Sequence, residues 1–306
     1  MRKDYYFDSC GKGRIHVSRW EPEGQIRGIV QIVHGIAEYV LRYDELARFF
    51  NESGILVVAE DHMGHGGSIG EDTVQGHFYG GWFAAVEDTY RLLQDTRKEF
   101  PDIPYILLGH SMGSFMARTI LQKHPDSGIS GAVICGTGWL SPVILHAGRA
   151  LGSIICLFQG DTKPSKFLDK LSFGSYNNRI DPVRTSHDWL SRDCQVVDRY
   201  VADPLCGFMA SAGLMKSMMT GLIFIQKGKN LDRMNKDLPI LFVAGEEDPV
   251  GQYGAGVRMV NEKFIRHGMQ RTSCILYPGC RHEIHNELDK AKVYADLLNW
   301  IRSVIG

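Results

Sequence analysis

Ser111 has the sequence surroundings of a catalytic nucleophile. It lies in the run Gly109-His110-Ser111-Met112-Gly113, which follows an apolar stretch at residues 105–108 and precedes a helical pattern. A chain that ends a strand, turns sharply and starts a helix holds a serine hydroxyl exposed on the turn. The two glycines lack a Cβ atom, so strand and helix can approach closely while the serine takes a strained backbone conformation. This spacing predicts attack by Ser111 on a carbonyl carbon.

A serine nucleophile needs a base that takes its proton and an acid that orients the base. Asp248 follows the apolar run 239–244, and His282 follows the apolar run 272–277, so each falls on a loop after a predicted strand. The chain order Ser, Asp, His is one that serine hydrolases use. Asp248 is therefore the predicted acid and His282 the predicted base. Glu247 and His285 are the nearest alternatives, and His285 is expected on a helix surface.

The oxyanion that forms during attack on a carbonyl needs hydrogen-bond donors. One predicted donor is the backbone N–H of Met112, at the start of the helix after the nucleophile, where the helix dipole adds stabilisation. The second is expected from the loop His34-Gly35-Ile36-Ala37-Glu38, which follows the third predicted strand. Ile36 N–H is the best candidate in that loop, and His34 is predicted to be structural.

Strands and helices alternate through most of the chain, and this alternation must position the residues above. Strands are predicted at 5–9, 14–20, 28–33, 55–59, 106–108, 132–135, 239–244 and 272–277, and core helices at 43–51, 82–100, 254–267 and 286–303. Such alternation indicates βαβ units and a mostly parallel central sheet flanked by helices. The carboxyl ends of parallel strands share one edge, so Ser111, Asp248 and His282 are expected to meet there.

The alternation stops after Gly138. Residues 139–237 contain no clear buried strand, are far too long for a loop, and are rich in apolar helical stretches. We therefore predict a core, first part, at 1–138, a helical cap (lid) at 139–237 inserted after about the sixth strand, and the second part of the core at 238–306. The Met and Phe residues of 208–224 either line an acyl-chain tunnel or form the cap's own core.

Bulk properties exclude several function classes. A formal net charge of −1 and a pI near 6.9 give no electrostatic reason to expect a nucleic-acid partner. No uninterrupted apolar stretch reaches the length of a membrane span, and no secretory signal is expected. Seven scattered cysteines without a CxxC pair predict reduced thiols and a cytoplasmic protein. These properties do not determine the oligomeric state.

A glycine-rich segment with two histidines follows the fourth predicted strand, reading Asp61-His62-Met63-Gly64-His65-Gly66-Gly67-Ser68. Two histidines three residues apart, with an aspartate, could contribute to a metal site or contact substrate. The glycines between them favour instead a tight turn with hydrogen-bonding histidines. We expect no metal and no organic cofactor.

Five motifs in chain order resemble the monoglyceride lipase and lysophospholipase group of serine α/β-hydrolases. They are H-G-I-A-E at 34–38, D-H-M-G-H-G-G-S at 61–68, G-H-S-M-G-S at 109–114, G-E-E-D-P-V at 245–250 and Y-P-G-C-R-H-E at 277–283. The resemblance implies an α/β-hydrolase fold with a lid. It implies Ser111 as nucleophile, Asp248 as acid and His282 as base, with Ile36 and Met112 as oxyanion-hole donors. The chain departs from the family pattern at Tyr39, often histidine, at Met63, usually arginine, and at Ser114, usually glycine.

These features together predict a serine hydrolase that cleaves carboxylic esters of lipid-like substrates, of the monoacylglycerol or lysophospholipid type, through an acyl-serine intermediate. A short-chain or aryl carboxylesterase is the alternative among enzymes. A non-catalytic ligand-binding protein on a hydrolase fold is the alternative of another class, and the complete triad argues against it. The expected partner is a small ester or lipid, and the cap's apolar face predicts transient contact with a membrane surface.

Overall fold

The centre of the protein is one eight-stranded sheet, seen in a computed structural model that describes residues 1–306. The strands are β1 (Arg2–Asp8), β2 (Arg14–Trp20), β3 (Gly28–Val33), β4 (Ile55–Glu60), β5 (Tyr105–His110), β6 (Gly131–Cys135), β7 (Ile240–Gly245) and β8 (Thr272–Tyr277). Their order across the sheet is β1-β2-β4-β3-β5-β6-β7-β8. Strand β2 pairs antiparallel with both β1 and β4. All other neighbouring strands in this order pair parallel. The predicted mostly parallel sheet is confirmed.

The sheet has a topological switch point between β3 and β5. From β3 the chain passes to β4 on one side and then returns to place β5 on the other side. In open parallel sheets, ligands bind outside the carboxyl ends of the strands at such a point. The loop 34–38 follows β3 and Ser111 follows β5, so the sheet brings these two segments together.

Helices cover both faces of the sheet, which explains why β3 to β7 are buried along their whole length. The helices are α1 (Asp44–Asn51), α2 (Gly81–Glu99), α3 (Met112–Lys123), α4 (Pro142–Gln159), α5 (Lys166–Phe173), α6 (Cys194–Ala202), α7 (Ala212–Ile225), α8 (Gly228–Leu231), α9 (Ala255–Arg266) and α10 (Lys290–Ile305). One hydrophobic core joins the sheet to α2, α3, α7 and α9, and a second joins the opposite face to α1 and α10.

Helices α4 to α8 occupy the segment between β6 and β7 and contribute no strand to the sheet. Helix α7 packs closely on the core, since a Cβ atom at Gly221 would lie 2.1 Å from the Trp82 ring. Helix α4 packs on α7, with Gly152 against Lys216. Met215 and Met218 of α7 belong to the main hydrophobic core and also line a cavity of about 1000 Å³, so both interpretations of these residues apply. The limits 139 and 237 of the cap remain a prediction.

The outer surface of the cap is apolar. Helix α4 is mostly exposed, and it is the one helix long and apolar enough to cross a membrane. Length and composition are weak support for a span, because helices of soluble proteins meet the same test. The large exposed apolar side chains of α4 and α5 form what we call the apolar cap face: Val143, Ile144, Ile154, Leu157, Phe158, Phe167 and Leu171.

Candidate active site

Ser111 stands on the turn between β5 and α3 with φ 53° and ψ −122°, a strained conformation for a residue with a side chain. The flanking glycines permit this turn. A Cβ atom at Gly113 would lie 1.9 Å from the Val33 carbonyl oxygen, and one at Gly109 would lie 2.4 Å from the Gly113 oxygen. The close approach of strand and helix predicted from the two glycines is confirmed.

His282 and Asp248 meet in a buried hydrogen bond. His282 Nδ1 donates to Asp248 Oδ1 over 2.9 Å, and the same oxygen accepts from the Val250 N–H at 2.9 Å. The turn after Asp248 is tight, with Gln252 and Tyr253 at positive φ. These contacts fix the carboxylate so that it sets both the tautomer and the orientation of the imidazole.

Residues 278–283, which follow β8 and carry His282, are called the base loop here; two other segments contact it. The His282 N–H donates to the Trp189 carbonyl at 3.3 Å, and the two rings lie 5.0 Å apart. On the other side of the imidazole, a Cβ atom at Gly136 would lie 3.0 Å from His282 Cε1. Gly136 therefore leaves just enough room for the ring.

Ser111 and His282 line the same cavity. His282 Nε2 is buried and has no hydrogen-bond partner within the protein, and no bond joins it to Ser111 Oγ. In ligand-free sites the bond between nucleophile and base is often long and shortens when substrate binds. The structure brings the predicted nucleophile, acid and base to one edge of the sheet, and their catalytic roles stay predictions.

The predicted oxyanion donors also lie at this cavity. The N–H groups of Ile36 and Met112 make no hydrogen bond within the protein, so both are available to a ligand. The loop packs against the nucleophile, since a Cβ atom at Gly35 would lie 3.1 Å from Ser111 Cβ. Gly35 N–H donates to Glu38 Oε1 at 2.6 Å, which fixes the loop.

Glu247 and His285, the alternatives for the acid and the base, do not line this cavity. Glu247 is exposed and lines a separate small cavity of about 220 Å³. The expectation that His285 lies on a helix surface is wrong: it is buried and stacks on Tyr43 with ring centroids 4.5 Å apart. The helix predicted to begin at 286 begins at Lys290, and a short turn before it folds His285 inward. Burial, with the charge of His110, lowers the pKa of His285 to about 3, so the ring is neutral.

A buried charged cluster surrounds these loops, and no local pattern predicted it. We call it the Arg42 network: Glu38, Arg42, Tyr43, His110 and Glu283. Arg42 donates to both Glu283 oxygens, at 2.5 and 2.6 Å, and to Glu38 Oε2 at 3.0 Å. Glu38 Oε1 accepts from the Tyr43 hydroxyl at 2.9 Å and lies 3.1 Å from His110 Nδ1. The one sequence signal that could have indicated this network is the four-residue spacing of Glu38 and Arg42, which was not used.

The charged groups of the Arg42 network compensate one another. Burial alone would raise the pKa of Glu38, but His110 and Arg42 hold it well below its usual range. Burial alone would lower the pKa of His110, yet the hydrogen bond and charge of Glu38 raise it. Arg42 and His110 thus face the carboxylates of Glu38 and Glu283. The network touches residues 34–38, which we call the oxyanion loop, through Gly35, and it touches the base loop through Glu283.

The histidines after β4 belong to a tight turn, as the glycines favoured. His34 and His62 stack at 3.9 Å, and the His62 N–H donates to His34 Nε2 at 2.9 Å. His65 Nδ1 lies 3.1 Å from the Met63 carbonyl oxygen. Elsewhere, ligand atoms of Glu38, His110 and His285 lie within 4.8 Å of one another, a spacing that suits a metal ion. Glu38 Oε1 already takes part in three hydrogen bonds there, while His285 Nε2 has no hydrogen-bond partner within the protein.

The cavity above Ser111 has a volume of about 1000 Å³, which is large for a small-molecule site. Its lining divides into two kinds. Helices α3, α4 and α7 contribute apolar side chains, among them Phe115, Leu151, Met215, Met218 and Leu222. Polar side chains come from the segment between α5 and α6 and from α5 itself, among them Asp169, Asn177 and His187.

A serine on the turn after β5, with an aspartate and a histidine on loops after β7 and β8, is the arrangement of the α/β-hydrolase fold. The chain belongs to the Hydrolase_4 family, described as serine aminopeptidase S33, whose model matches residues 24–289. It is similar to a monoacylglycerol lipase of Mycolicibacterium smegmatis, 30% identical over 99% of this chain and 98% of that protein. It is 28% identical to the monoglyceride lipase of Homo sapiens over 92% of this chain and 84% of that one. A thermostable carboxyl esterase from Bacillus coagulans, solved in complex with glycerol, superposes with a TM-score of 0.93 and 30% identity, covering 100% of this chain and 99% of that one.

Proposed function

We propose that this chain is a serine hydrolase that cleaves carboxylic esters of lipid-like substrates, of the monoacylglycerol or lysophospholipid type. The observation that carries the proposal is the buried Asp248–His282 pair, placed on the same cavity as Ser111. The full-length similarity to enzymes named as monoacylglycerol lipases supports the substrate class. A purely ligand-binding protein would have no need of a buried, oriented imidazole with an unpartnered Nε2.

The proposed reaction uses the residues in the order that the geometry allows. Ser111 Oγ attacks the ester carbonyl while His282 Nε2 takes its proton, and Asp248 holds the imidazolium. The oxyanion accepts hydrogen bonds from Ile36 and Met112, and losing one such donor costs about 3 kcal/mol of transition-state stabilisation. His282 then protonates the leaving alcohol, activates water by the same nitrogen, and the acid product leaves.

The cavity lining favours a lipid over a peptide, although the family description names a peptidase. A peptide would bring N–H and C=O groups that need partners, because burying such groups unpaired is costly. Helices α4 and α7 offer apolar side chains to the cavity, among them three methionines, with Lys216 as the one charged exception. Methionine side chains adapt to apolar ligands of varied shape, as an acyl chain requires.

A short-chain or aryl carboxylesterase is the second candidate, favoured by the close superposition with the Bacillus coagulans carboxyl esterase. A series of p-nitrophenyl esters, monoacylglycerols and lysophospholipids of increasing acyl length separates the two. Highest turnover on long acyl chains supports a lipase, and a maximum at short chains supports an esterase.

The nucleophile is tested with a fluorophosphonate probe and the Ser111→Ala variant. We expect the wild type to be labelled, and the variant to lose labelling and at least about 10⁴-fold in kcat. The control is Ser303→Ala, which removes an exposed hydroxyl on α10 that bonds only to the Trp300 carbonyl. Equal turnover in Ser111→Ala and Ser303→Ala would contradict the assignment.

We also propose that the apolar cap face contacts lipid surfaces transiently, and that the protein is cytoplasmic. Leu157 and Phe158 at the end of α4 are more than four-fifths exposed, with side chains of 83% and 88% relative exposure. Co-sedimentation with liposomes should fall in a Leu157→Ser, Phe158→Ser double variant. Wild-type co-sedimentation no greater than that of a soluble control protein would reject the surface contact. Cell fractionation tests the location.

A further inference from the structure

A second cavity adjoins the loops that carry the predicted acid and base. It has a volume of about 220 Å³ and is formed by the segment between α5 and α6, the turn after β7 and the base loop. Glu247 and Arg281 line it, and they directly precede Asp248 and His282 in the chain. Tyr176 lines this cavity and also the larger one described above. The second cavity is therefore a neighbour of the candidate active site, and the proposed reaction does not use it.

Three arginines line the second cavity, and two of them have no acidic partner. Arg281 donates from Nη1 to the carbonyl oxygens of Asp188 and Ser191, at 2.6 and 3.0 Å, and its Nε and Nη2 make no hydrogen bond. Arg179 makes neither a hydrogen bond nor an ion pair, and its guanidinium lies 3.6 Å from the centre of the Tyr253 ring. Because carbonyl groups and an aromatic ring carry no net charge, these contacts leave both arginine charges uncompensated.

The free edge of Arg281 has the geometry that binds a carboxylate. Nε and Nη2 carry parallel N–H groups, and such a pair can bond both oxygens of one carboxylate at once. Neither nitrogen is sealed from solvent. The structural contact of Arg281 uses Nη1, which ties the base loop to the segment before α6. The other edge is thus free for a ligand.

The third arginine and two tyrosines provide further donors. Arg192 is held by Glu287 through Nε, at 2.9 Å, and by Asp289 through Nη2, at 2.5 Å, while its Nη1 makes no hydrogen bond. The hydroxyls of Tyr176 and Tyr253 make no hydrogen bond within the protein, and both residues line the cavity. The wall therefore offers donors from three segments of the chain to one small space.

The charges around the cavity favour a small anion with a single charge. Glu247 is the one acidic residue on the wall, and its side chain makes no hydrogen bond or ion pair. Glu287 and Asp289, which do not line the cavity, pair with Arg192. Three arginines and three acids give no surplus of positive charge, so a doubly charged phosphate would meet uncompensated repulsion. A single carboxylate matches the one positive charge that the other two arginines leave beyond Glu247.

We propose that the second cavity binds the carboxylate of a small organic acid, with Arg281 as its bidentate partner and Arg179 as the second cation. The volume lies below the range of about 300–1,000 Å³ that is usual for drug-sized ligands, which limits the acid to a few carbon atoms. Ile180 and the two tyrosine rings offer apolar surface to these carbons. The bound anion ties the turn after β7, the base loop and the segment between α5 and α6 together. This inference goes beyond the proposed function and does not depend on it.

The test is isothermal titration calorimetry of the full chain with sodium acetate and sodium butanoate, at pH 7.5 and at an ionic strength kept constant with sodium chloride. Two charge-assisted hydrogen bonds in a partly exposed site predict a Kd on the order of 1 mM. Arg281→Gln should weaken binding at least about tenfold, and Arg179→Gln about threefold. Glu247→Gln removes the repelling carboxylate and should tighten binding about threefold. The control is Arg149→Gln, because Arg149 is an exposed arginine of α4 that lines neither cavity.

Urea unfolding shows whether each variant is folded, and acetate should raise the unfolding midpoint of the wild type more than that of Arg281→Gln. Arg179→Gln removes no hydrogen bond, so it keeps the test decisive if Arg281→Gln fails to fold. Acetate binding no tighter than that of chloride, or an equal Kd in Arg179→Gln, Arg281→Gln and Arg149→Gln, would overturn the proposal. Inorganic phosphate that binds more tightly than acetate would overturn the assignment to a carboxylate. A chain that cleaves no ester can still bind acetate, so this titration and the ester assays fail independently.

Discussion

Breaking the ion pair between Arg42 and Glu283 should cost both stability and catalysis. The guanidinium bonds both carboxylate oxygens, at 2.5 and 2.6 Å, and the two side chains are only 11% and 2% exposed. The partners lie far apart in sequence, after β3 and after β8, so the pair joins the oxyanion loop to the base loop. Glu283 directly follows His282, so we expect a shift of this carboxylate to displace the proposed base.

The expected magnitude follows from burial and from what each variant leaves behind. Removing one partner of a buried pair typically costs about 3–5 kcal/mol, because a charge stays buried without compensation. Arg42→Met leaves two carboxylates, Glu38 and Glu283, uncompensated, so we expect a loss near the top of that range. Glu283→Gln leaves Arg42 with Glu38 and keeps one hydrogen bond, so we expect about 3 kcal/mol. The double variant should lose less than the sum by about 2–3 kcal/mol.

The assay is a double-mutant cycle by urea unfolding at pH 7.5, with kcat/KM measured on every variant. The surface pair Arg266–Glu262, at 3.3 Å with 68% and 60% exposure, is the control cycle, and its coupling should stay below about 0.5 kcal/mol. In Glu283→Gln we expect kcat to fall about 100-fold, the effect of misplacing a catalytic group by about 1 Å.

Two results would refute this reasoning. A coupling energy in the buried pair no larger than in the surface pair would mean that the bidentate contact does not hold the loops. A large coupling energy with an unchanged kcat would mean that the pair stabilises the fold without positioning His282.

Two further predictions concern His285 and Gly136, which lie close to the candidate active site. His285 has a folded-state pKa of about 3 against 6.5 in the unfolded chain, so the unfolded state binds the extra proton and stability is lost as the pH falls below 6.5. Between pH 7.5 and 5 the wild type should lose about 2 kcal/mol more than His285→Phe in urea unfolding; parallel curves would show that folding does not shift the pKa of the His285 ring. Gly136→Ala should lower kcat about 100-fold with little change in KM, because its Cβ would lie 3.0 Å from the His282 ring at φ 58°. Gly70→Ala, with no contact closer than 3.9 Å, is the control, and equal kcat in the two variants would show that the ring has room.

The sheet and the three candidate catalytic residues could be predicted because each depends on a local pattern. Ser111, Asp248 and His282 each follow an apolar run that is long enough for a buried strand. Parallel strands bring such positions to one edge without any knowledge of distant contacts. The Arg42 network could not be predicted in this way. Its two loops follow β3 and β8, which three strands separate in the sheet, and only the folded backbone brings them together.

His285 was misplaced for a related reason. The periodic apolar pattern predicts that the last helix exists. It does not determine at which residue, within about one turn, that helix begins. The short turn before Lys290 folds His285 toward Tyr43 and His110. From the sequence alone, a histidine at a helix end is expected to be exposed because it is polar. In the fold, stacking on Tyr43 makes His285 part of the core.

The departures from the family motifs are explained by packing. Met63 is buried, and its sulfur accepts from the Tyr79 N–H at 2.9 Å. Ser114 Oγ donates to the Ser111 carbonyl at 2.6 Å, which supports the nucleophile turn. The Tyr39 hydroxyl donates to Asp203 at 2.9 Å, a contact between the oxyanion loop and the segment after α6.

This last contact is one of three that hold the oxyanion loop from the cap side. The Ala37 carbonyl accepts from the Tyr200 hydroxyl at 3.0 Å and from the Gly207 N–H at 2.9 Å. Ala37 has φ 55°, a conformation that costs an alanine about 1–2 kcal/mol and persists where surrounding contacts impose it. The segment from Tyr200 to Gly207 therefore helps to orient the loop that carries Ile36, whose N–H is the proposed oxyanion donor. Helix α4, which packs mainly on α7, has no contact of this kind. One part of the cap thus holds the loop of the proposed oxyanion donor, and the part that carries the apolar cap face makes no such contact with that loop.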